Sequence, residues 1–224
     1  MRKAVRFKSQ SQVSGLRSPV SSSPMAVLRG KTIGVIGAGT MGQALIQGLL
    51  ARGVRRAAVR AADPDAGRRD AVRRRFRLKV GADNARTVRA SDIVILAIKP
   101  QQFPDVVAHL APHLRRGQLV VSIAAGITLR WLEARLPGLP VVRVMPNLPA
   151  TVGCGFAAMA AGRRATAESR QVVRAIFESV GDVVELPERR FDASTAVSGS
   201  LSTSESLPNT PGAAIENVLD DSQR

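Results

Sequence analysis

Hydrophobic residues follow two alternating patterns along the chain. From residue 31 onward, short aliphatic runs alternate with longer stretches in which apolar residues recur every three or four positions. The short runs predict strands and the longer stretches predict helices. Strands are predicted near residues 32–37, 56–62, 78–80, 92–98, 118–123 and 140–145, and helices near 40–52, 65–76, 83–90, 102–114, 128–135 and 166–180. This alternation favours an α/β fold of the Rossmann type, with a doubly wound, mostly parallel sheet and helices on both faces.

A glycine-rich turn joins the first predicted strand to the first predicted helix. The segment is made of Ile36, Gly37, Ala38, Gly39, Thr40, Met41 and Gly42. The first glycine allows a tight turn, the second lets a pyrophosphate approach the main chain, and the third lets helix and strand pack closely. The helix N-terminus adds free N–H donors. The sequence therefore predicts a dinucleotide site here, and a purely structural turn is the alternative.

Asp63 ends the second predicted strand, about 20 residues beyond the glycines. A carboxylate at this position would accept hydrogen bonds from the adenine ribose 2′-hydroxyl and favour NAD, so replacing Asp63 with Ala would shift preference toward NADP. Arg68 and Arg69 follow, and their guanidinium groups could instead hold a 2′-phosphate. The structural alternative for Asp63 and Asp65 is a turn and a helix cap.

Two further segments lie at predicted strand ends. Lys99 and Pro100 leave the apolar run 93–98, so Lys99 would reach over the crevice toward the nicotinamide half of a coenzyme, and a solvated lysine is the alternative. Asn147 stands between two prolines, Pro146 and Pro149, and its amide can both donate and accept hydrogen bonds. Ordinary turn chemistry is the alternative there.

Charge and composition limit the other classes. The formal charge of +16 raises nucleic acid as a partner, but aromatic residues make up only 3% of the chain, so stacking platforms are scarce and a solvated basic surface is favoured. The longest apolar stretch, residues 119–129, is too short to span a membrane. Cys154 is the only cysteine, which excludes an intramolecular disulfide and favours the cytoplasm or an organelle matrix. His109 and His113 lack a third ligand nearby, so no metal site is predicted.

The chain is predicted to have three parts. Residues 1–29 are basic and serine-rich and are expected to be disordered, either as a transit peptide or as a segment preceding Met25 as the true start. Residues 30–200 form the nucleotide-binding domain. Residues 201–224 form a polar tail that is expected to be disordered.

The chain resembles one family, the pyrroline-5-carboxylate reductases. The resemblance rests on segments 36–42, 96–101 (Leu-Ala-Ile-Lys-Pro-Gln), 121–127 (Val-Ser-Ile-Ala-Ala-Gly-Ile), 143–147 (Arg-Val-Met-Pro-Asn), 192–193 and 198–200, in this order. It implies an N-terminal Rossmann domain and hydride transfer from NADP or NAD cofactors, as NAD(P)H, to 1-pyrroline-5-carboxylate, giving proline. A helical domain would follow, dimerise and close the substrate site.

The resemblance also implies roles for individual residues. Positions 37–42 would hold the pyrophosphate, Ala97, Ile98, Lys99 and Pro100 would border the nicotinamide ribose, and Asn147 would lie near the nicotinamide. Ser198 and Ser200 would stand at the entrance to the helical domain and the substrate. No catalytic acid is assigned.

The sequence departs from the family in two places. Leu148 stands where the family usually has Thr, and the family's helical series is not found after Ser200. We therefore expect an absent or truncated helical domain, impaired catalysis and doubtful dimerisation. Two alternatives remain open, a dinucleotide-binding or regulatory protein without chemistry, and a basic nucleic-acid binder.

Overall fold

Strands and helices alternate through the chain in a computed structural model, which describes residues 24–147 and 155–191. The strands are β1 Ile33–Ile36, β2 Val59–Ala62, β3 Lys79–Gly81, β4 Ile93–Leu96, β5 Leu119–Ser122, β6 Val141–Asn147, β7 Gly155–Ala161 and β8 Gly181–Glu185. The α-helices are α1 Thr40–Ala51, α2 Ala66–Phe76, α3 Asn84–Arg89, α4 Phe103–Leu110, α5 Leu129–Arg135 and α6 Ala167–Phe177. Short 3-10 helices cover Pro24–Leu28, Arg56–Ala58, Pro100–Gln102, Ala111–His113 and Glu188–Arg190.

The strands form one eight-stranded sheet in the order β3-β2-β1-β4-β5-β6-β7-β8. Strands β1 to β6 are parallel, so the expected Rossmann-type doubly wound fold is confirmed. The order reverses between β1 and β4, and there Ile36 pairs with both Ala62 and Leu96. Ligands of such sheets bind beyond the carboxyl ends of the strands at this reversal.

Two strands at one edge were not predicted from the sequence. β7 runs antiparallel to β6, and β8 pairs with β7 in parallel. β7 reads Gly-Phe-Ala-Ala-Met-Ala-Ala, and alanine and glycine are depleted in strands, so its composition does not indicate one. β8 begins directly after the range 166–180, which was predicted as one helix, and no strand was predicted there.

Helices cover both faces of the sheet, which buries alternate strand residues on opposite sides. One core cluster contains Ile33 and Val35 of β1 with residues from α1, α2 and α6, including Leu49, Val72 and Phe177. The second contains Ile36 with residues from α3, α4 and α5. β4 alternates in the same way and is buried at all four positions, as expected for a fully covered parallel strand.

The folded part begins earlier than the sequence indicated. Residues 24–29 were assigned to a disordered extension, but Pro24–Leu28 form a 3-10 helix and Leu28 is buried in the first core cluster. Leu28 provides an apolar anchor that the basic composition of the segment conceals. Residues 1–23 and the tail 201–224 lie outside the described ranges. Within residues 24–147 and 155–191, no helix is long and apolar enough to cross a membrane.

Candidate coenzyme site

The glycine turn after β1 is shaped by contacts with the end of β4. Gly37 has a φ of +101°, a region that favours glycine, and a Cβ at this position would collide with the carbonyl oxygen of Ala97. A Cβ at Gly42 would collide with the carbonyl oxygen of Gly37 and lie 3.3 Å from Cγ1 of Val35. The first and third glycines are therefore required by the turn and by the packing of α1 on β1.

Gly39 differs from the other two glycines because it faces open space. A Cβ added there would meet no atom within 4 Å. Gly39 is also the N-cap of α1, in extended geometry, and within residues 24–147 and 155–191 no side chain caps the helix. The first N–H groups of α1 thus lack a side-chain acceptor, and a helix N-terminus favours negative charge. A pyrophosphate fits this corner, since it would supply the missing acceptors and fill the space left by the side chain.

Asp63 is placed beside the glycine turn, but its carboxylate is already hydrogen-bonded. Oδ2 accepts from the backbone N of Ala38 at 2.8 Å, and Oδ1 accepts from the backbone N of Asp65 at 2.9 Å. The residue is 1% exposed. The carboxylate ties the end of β2 to the glycine turn, and the ribose role expected for it stays a prediction.

The three polar residues that follow Asp63 make different contacts. Asp65 is the N-cap of α2 and accepts a hydrogen bond from the backbone N of Arg68, which agrees with the capping alternative for this segment. Arg69 donates to the carbonyl oxygens of Asp63 and Pro64. The Arg68 guanidinium lies 3.6 Å from Asp63 Oδ2, and its side chain is 54% exposed. Arg68 is the better placed of the two arginines to meet an anion beyond β2.

The segment after β4 forms the opposite wall of the corner. The backbone N of Ala97 donates to the carbonyl oxygen of Ile36 at 2.7 Å, and Cγ2 of Ile98 would lie 3.1 Å from a Cβ on Gly37. Lys99 is exposed, and Pro100 begins a 3-10 helix that fixes the direction of the chain. Of the four residues predicted to border the turn, Ala97 and Ile98 lie against it, and Lys99 and Pro100 follow directly in the chain.

The remaining predicted residues are farther away or outside the described ranges. Asn147 is exposed at the end of β6, four residues past Arg143, which is level with the end of β5. At about 3.3 Å per residue, Asn147 lies about 13 Å beyond that edge. Ser198 and Ser200, together with Leu148 and Cys154, lie outside the ranges that the structure describes.

One polar residue at this edge was not predicted. Asn84 is the first residue of α3 and follows β3, at the carboxyl edge of the sheet. Its Oδ1 atom is buried and has no hydrogen-bond partner within the described residues. In the sequence Asn84 follows Asp83, the N-cap of α3, and such a pair indicates capping rather than binding. An unpartnered buried acceptor is a further feature that a bound ligand would satisfy.

Metal-binding side chains do not cluster in the described ranges, where no group of three His, Cys, Asp or Glu residues comes together. The rings of His109 and His113 pack edge to face at 5.6 Å, and Nδ1 of His113 lies 2.9 Å from the Arg89 guanidinium. These histidines are not assigned to the site.

Several known proteins are similar in sequence to this chain. The family model described as NADP oxidoreductase, coenzyme F420-dependent, matches residues 32–126, which contain the glycine turn and β4. A pyrroline-5-carboxylate reductase from Synechocystis is 38% identical over 169 residues, covering 75% of this chain and 63% of that protein. The enzyme of the same name from Methanosarcina acetivorans is 42% identical over 175 residues, covering 77% of this chain and 65% of that protein. Over about three quarters of its length, the chain is similar in sequence to pyrroline-5-carboxylate reductases.

A solved structure supports the same assignment of fold. The Plasmodium falciparum pyrroline carboxylate reductase, with NADP bound, matches with a TM-score of 0.67 at 23% identity, covering 87% of this chain and 76% of that chain. The chain spans less than two thirds of the two family members compared above, 63% and 65% of their lengths.

Proposed function

We propose that this chain is the coenzyme-binding part of a pyrroline-5-carboxylate reductase, in which a hydride passes from NAD(P)H to the C=N carbon of 1-pyrroline-5-carboxylate and a proton joins the ring nitrogen, giving proline. The observation that carries the proposal is the open corner at Gly39, where uncapped helix N–H groups face space that a side chain would fill. Identities of 38% and 42% to reductases of this name support the substrate.

The bound coenzyme supplies the hydride, so the chain's residues act mainly by binding and alignment. The main chain at positions 37–42 would hold the pyrophosphate. Ala97, Ile98, Lys99 and Pro100 would border the nicotinamide ribose, and Asn147 would lie near the nicotinamide. Ser198 and Ser200 would stand at the substrate. Fixing the nicotinamide against the imine carbon removes much of the entropic barrier, and no proton donor is assigned to a side chain.

We infer a preference for NADP over NAD. Asp63 is 1% exposed and both of its oxygens accept backbone hydrogen bonds, so the carboxylate is poorly accessible to ribose hydroxyls. The half-exposed Arg68 guanidinium, 3.6 Å from Asp63, would instead meet a 2′-phosphate. Replacing Arg68 with Ala should weaken NADP binding by about tenfold and leave NAD binding unchanged, because one charge-assisted interaction is worth about 1.5 kcal/mol.

The proposed partners follow from the same function. The substrate is a small molecule, and neither nucleic acid nor a membrane is required. The resemblance implies a homodimer or higher oligomer, and light scattering would measure the oligomeric state of this chain. We assign the chain to the cytoplasm, or to an organelle if residues 1–29 act as a transit peptide.

Titration of the full chain with NADPH and NADH, followed by coenzyme oxidation with 1-pyrroline-5-carboxylate, tests the proposal. Binding with substrate-dependent oxidation would support the reductase. Binding without oxidation would support a dinucleotide-binding or regulatory role. No binding of either coenzyme, or RNA binding that displaces the coenzyme and weakens with salt, would contradict the proposal.

A further inference from the structure

A second concave surface lies at the opposite end of the sheet from the glycine turn. It is a cavity of about 510 Å³ between the segment 25–31, which precedes β1, and the turn 52–58, which joins α1 to β2. Both segments meet the amino ends of β1 and β2, whereas the coenzyme corner is at their carboxyl ends. The 12-residue helix α1 separates the two sites, a length of about 18 Å at 1.5 Å per residue.

Four cationic side chains line this cavity, and no acidic side chain does. The cations are Arg29, Lys31, Arg52 and Arg55. The two wall segments belong to a stretch without a single acidic residue, since the first in the chain is Asp63. Because the wall segments carry no carboxylates, they contribute only positive charge to the cavity.

Two of the four cations are engaged with groups on α6 and the turn after it. Lys31 Nζ forms a 2.8 Å ion pair with Glu168, and the Arg52 guanidinium donates to the carbonyl oxygen of Glu178 at 3.3 Å. Arg29 and Arg55 are exposed, and no side-chain hydrogen bond or ion pair is found for either within the described ranges. Arg29 and Arg55 belong to the two different wall segments, and within the described ranges their guanidinium donors have no partner.

The rest of the lining is apolar. Met25 and Leu28 contribute from one wall, and Val54 and Ala58 from the other. Leu28 is buried, and Met25 and Val54 are half-buried against the core. Such a lining can accept the apolar part of a ligand whose anionic group contacts the arginines.

The end of α1 does not oppose an anion here. Helix C-termini carry partial negative charge on their last carbonyl oxygens. In α1 the carbonyl oxygens of Gly48, Leu49 and Leu50 all accept hydrogen bonds, from the backbone N–H groups of Arg52, Val54 and Gly53. Three of the last four carbonyl oxygens of α1 are therefore already paired with backbone donors, which reduces their repulsion of an anion at this wall.

We propose that this cavity binds a phosphorylated small molecule with an aromatic or aliphatic body, at a site separate from the coenzyme corner. A volume of about 510 Å³ suits a ligand of that size. The phosphate would bridge Arg29 and Arg55, because guanidinium groups match phosphate oxygens in geometry and charge. The body of the ligand would pack on Met25, Leu28 and Val54. The concave shape favours a small molecule over an extended nucleic acid.

The test is a fluorescence titration of the full chain with 1-naphthyl phosphate, in saturating NADP+ so that the coenzyme corner is filled. Inorganic phosphate and 1-naphthol are titrated as competitors. We expect the probe to bind more tightly than either competitor, because inorganic phosphate lacks the aromatic body and 1-naphthol lacks the phosphate. Replacing both Arg29 and Arg55 with Ser should weaken binding by about tenfold or more, since charge-assisted hydrogen bonds are lost.

The matched control replaces two other exposed arginines, Arg74→Ser and Arg77→Ser, which lie on and after α2 and outside the cavity. This variant has the same net charge as the cavity variant, and it should bind the probe as the unmodified chain does. Thermal unfolding of both variants checks that each remains folded. Equal weakening in the two variants, unchanged binding after loss of Arg29 and Arg55, or tighter binding of single-stranded RNA than of 1-naphthyl phosphate at this cavity would each overturn the proposal.

Discussion

Asp63→Asn tests whether this residue stabilises the glycine turn or binds the ribose of the coenzyme. The carboxylate accepts hydrogen bonds from the backbone N–H groups of Ala38 and Asp65 through its two different oxygens, at 2.8 and 2.9 Å. An amide of the same size has only one oxygen, so its NH2 group must face one of the two backbone N–H groups. The variant therefore leaves a buried donor unsatisfied beside the coenzyme corner.

The expected loss follows from this geometry. A buried polar group left without its partner costs about 1–3 kcal/mol, and Asp63 is almost fully buried. We expect Asp63→Asn to lower the free energy of unfolding by about 2 kcal/mol in urea denaturation. Coenzyme titrations should show weaker binding of NADP and NAD by similar factors, because the turn that both need is loosened.

Asp65→Asn is the matched control. Asp65 caps α2, and Asn and Asp are nearly equivalent as N-caps, so this change should cost less than about 0.5 kcal/mol. Equal stability of the Asp63 and Asp65 variants would refute the turn-holding role. A selective loss of NAD binding in Asp63→Asn would instead restore the ribose role that the sequence indicated.

Three further predictions concern the framework around the site. Gly48→Ala should destabilise the domain in urea denaturation, although Ala is the better helix former. The new Cβ would lie 2.5 Å from Val180 Cγ1 and 2.7 Å from the Ser179 carbonyl oxygen. A gain in stability would contradict this packing. Backbone and side-chain hydrogen bonds from Thr32, with Arg115 nearby, lower the pKa of Asp92 below its ordinary 3.8. The ionised carboxylate therefore stabilises the fold fully above pH 3.8, and this contribution is lost as the pH falls through the lowered pKa. The stability difference between Asp92→Asn and the unmodified chain should therefore shrink below pH 3.8, and a difference independent of pH would count against it. Glu188→Ala should cost about 3 kcal/mol by leaving the buried Arg143 guanidinium without its 2.8 Å partner, whereas no loss would show that the pair is not needed.

The sequence predicts the fold well where its periodicity is strong. The six parallel strands and six α-helices were placed within a few residues, because aliphatic runs such as 93–96 and amphipathic stretches such as α6 carry clear periods. β7 could not be predicted, since its pairing with β6 rather than its Ala-rich composition makes it a strand. The 3-10 helix Pro24–Leu28 depends on one buried leucine.

Site residues are predictable where the backbone needs a particular residue type. The requirement for Gly37 and Gly42 follows from contacts that any such strand-turn-helix unit makes, so the motif alone locates the corner. The partner of Asp63 was not predictable, because a buried carboxylate bound to Ala38 and a ribose-binding carboxylate occupy the same position in the sequence. Asn84 was missed for a related reason, since only burial distinguishes an unpartnered side chain from a capping one.

Coenzyme affinity of Gly39→Asp tests the central claim most directly. Gly39 is an N-cap with φ −71° and ψ −171°, a geometry that Asp adopts readily, and Asp is among the best N-cap residues. The new carboxylate would occupy the N–H donors that a pyrophosphate needs and repel its charge. Thr166→Asp is the control, because Thr166 caps α6, whose first turn lies beside Lys31 at the opposite edge of the sheet. The account predicts that Gly39→Asp keeps or raises the melting temperature and abolishes NADPH binding, while Thr166→Asp binds NADPH normally; undiminished NADPH binding by a folded Gly39→Asp protein would contradict it.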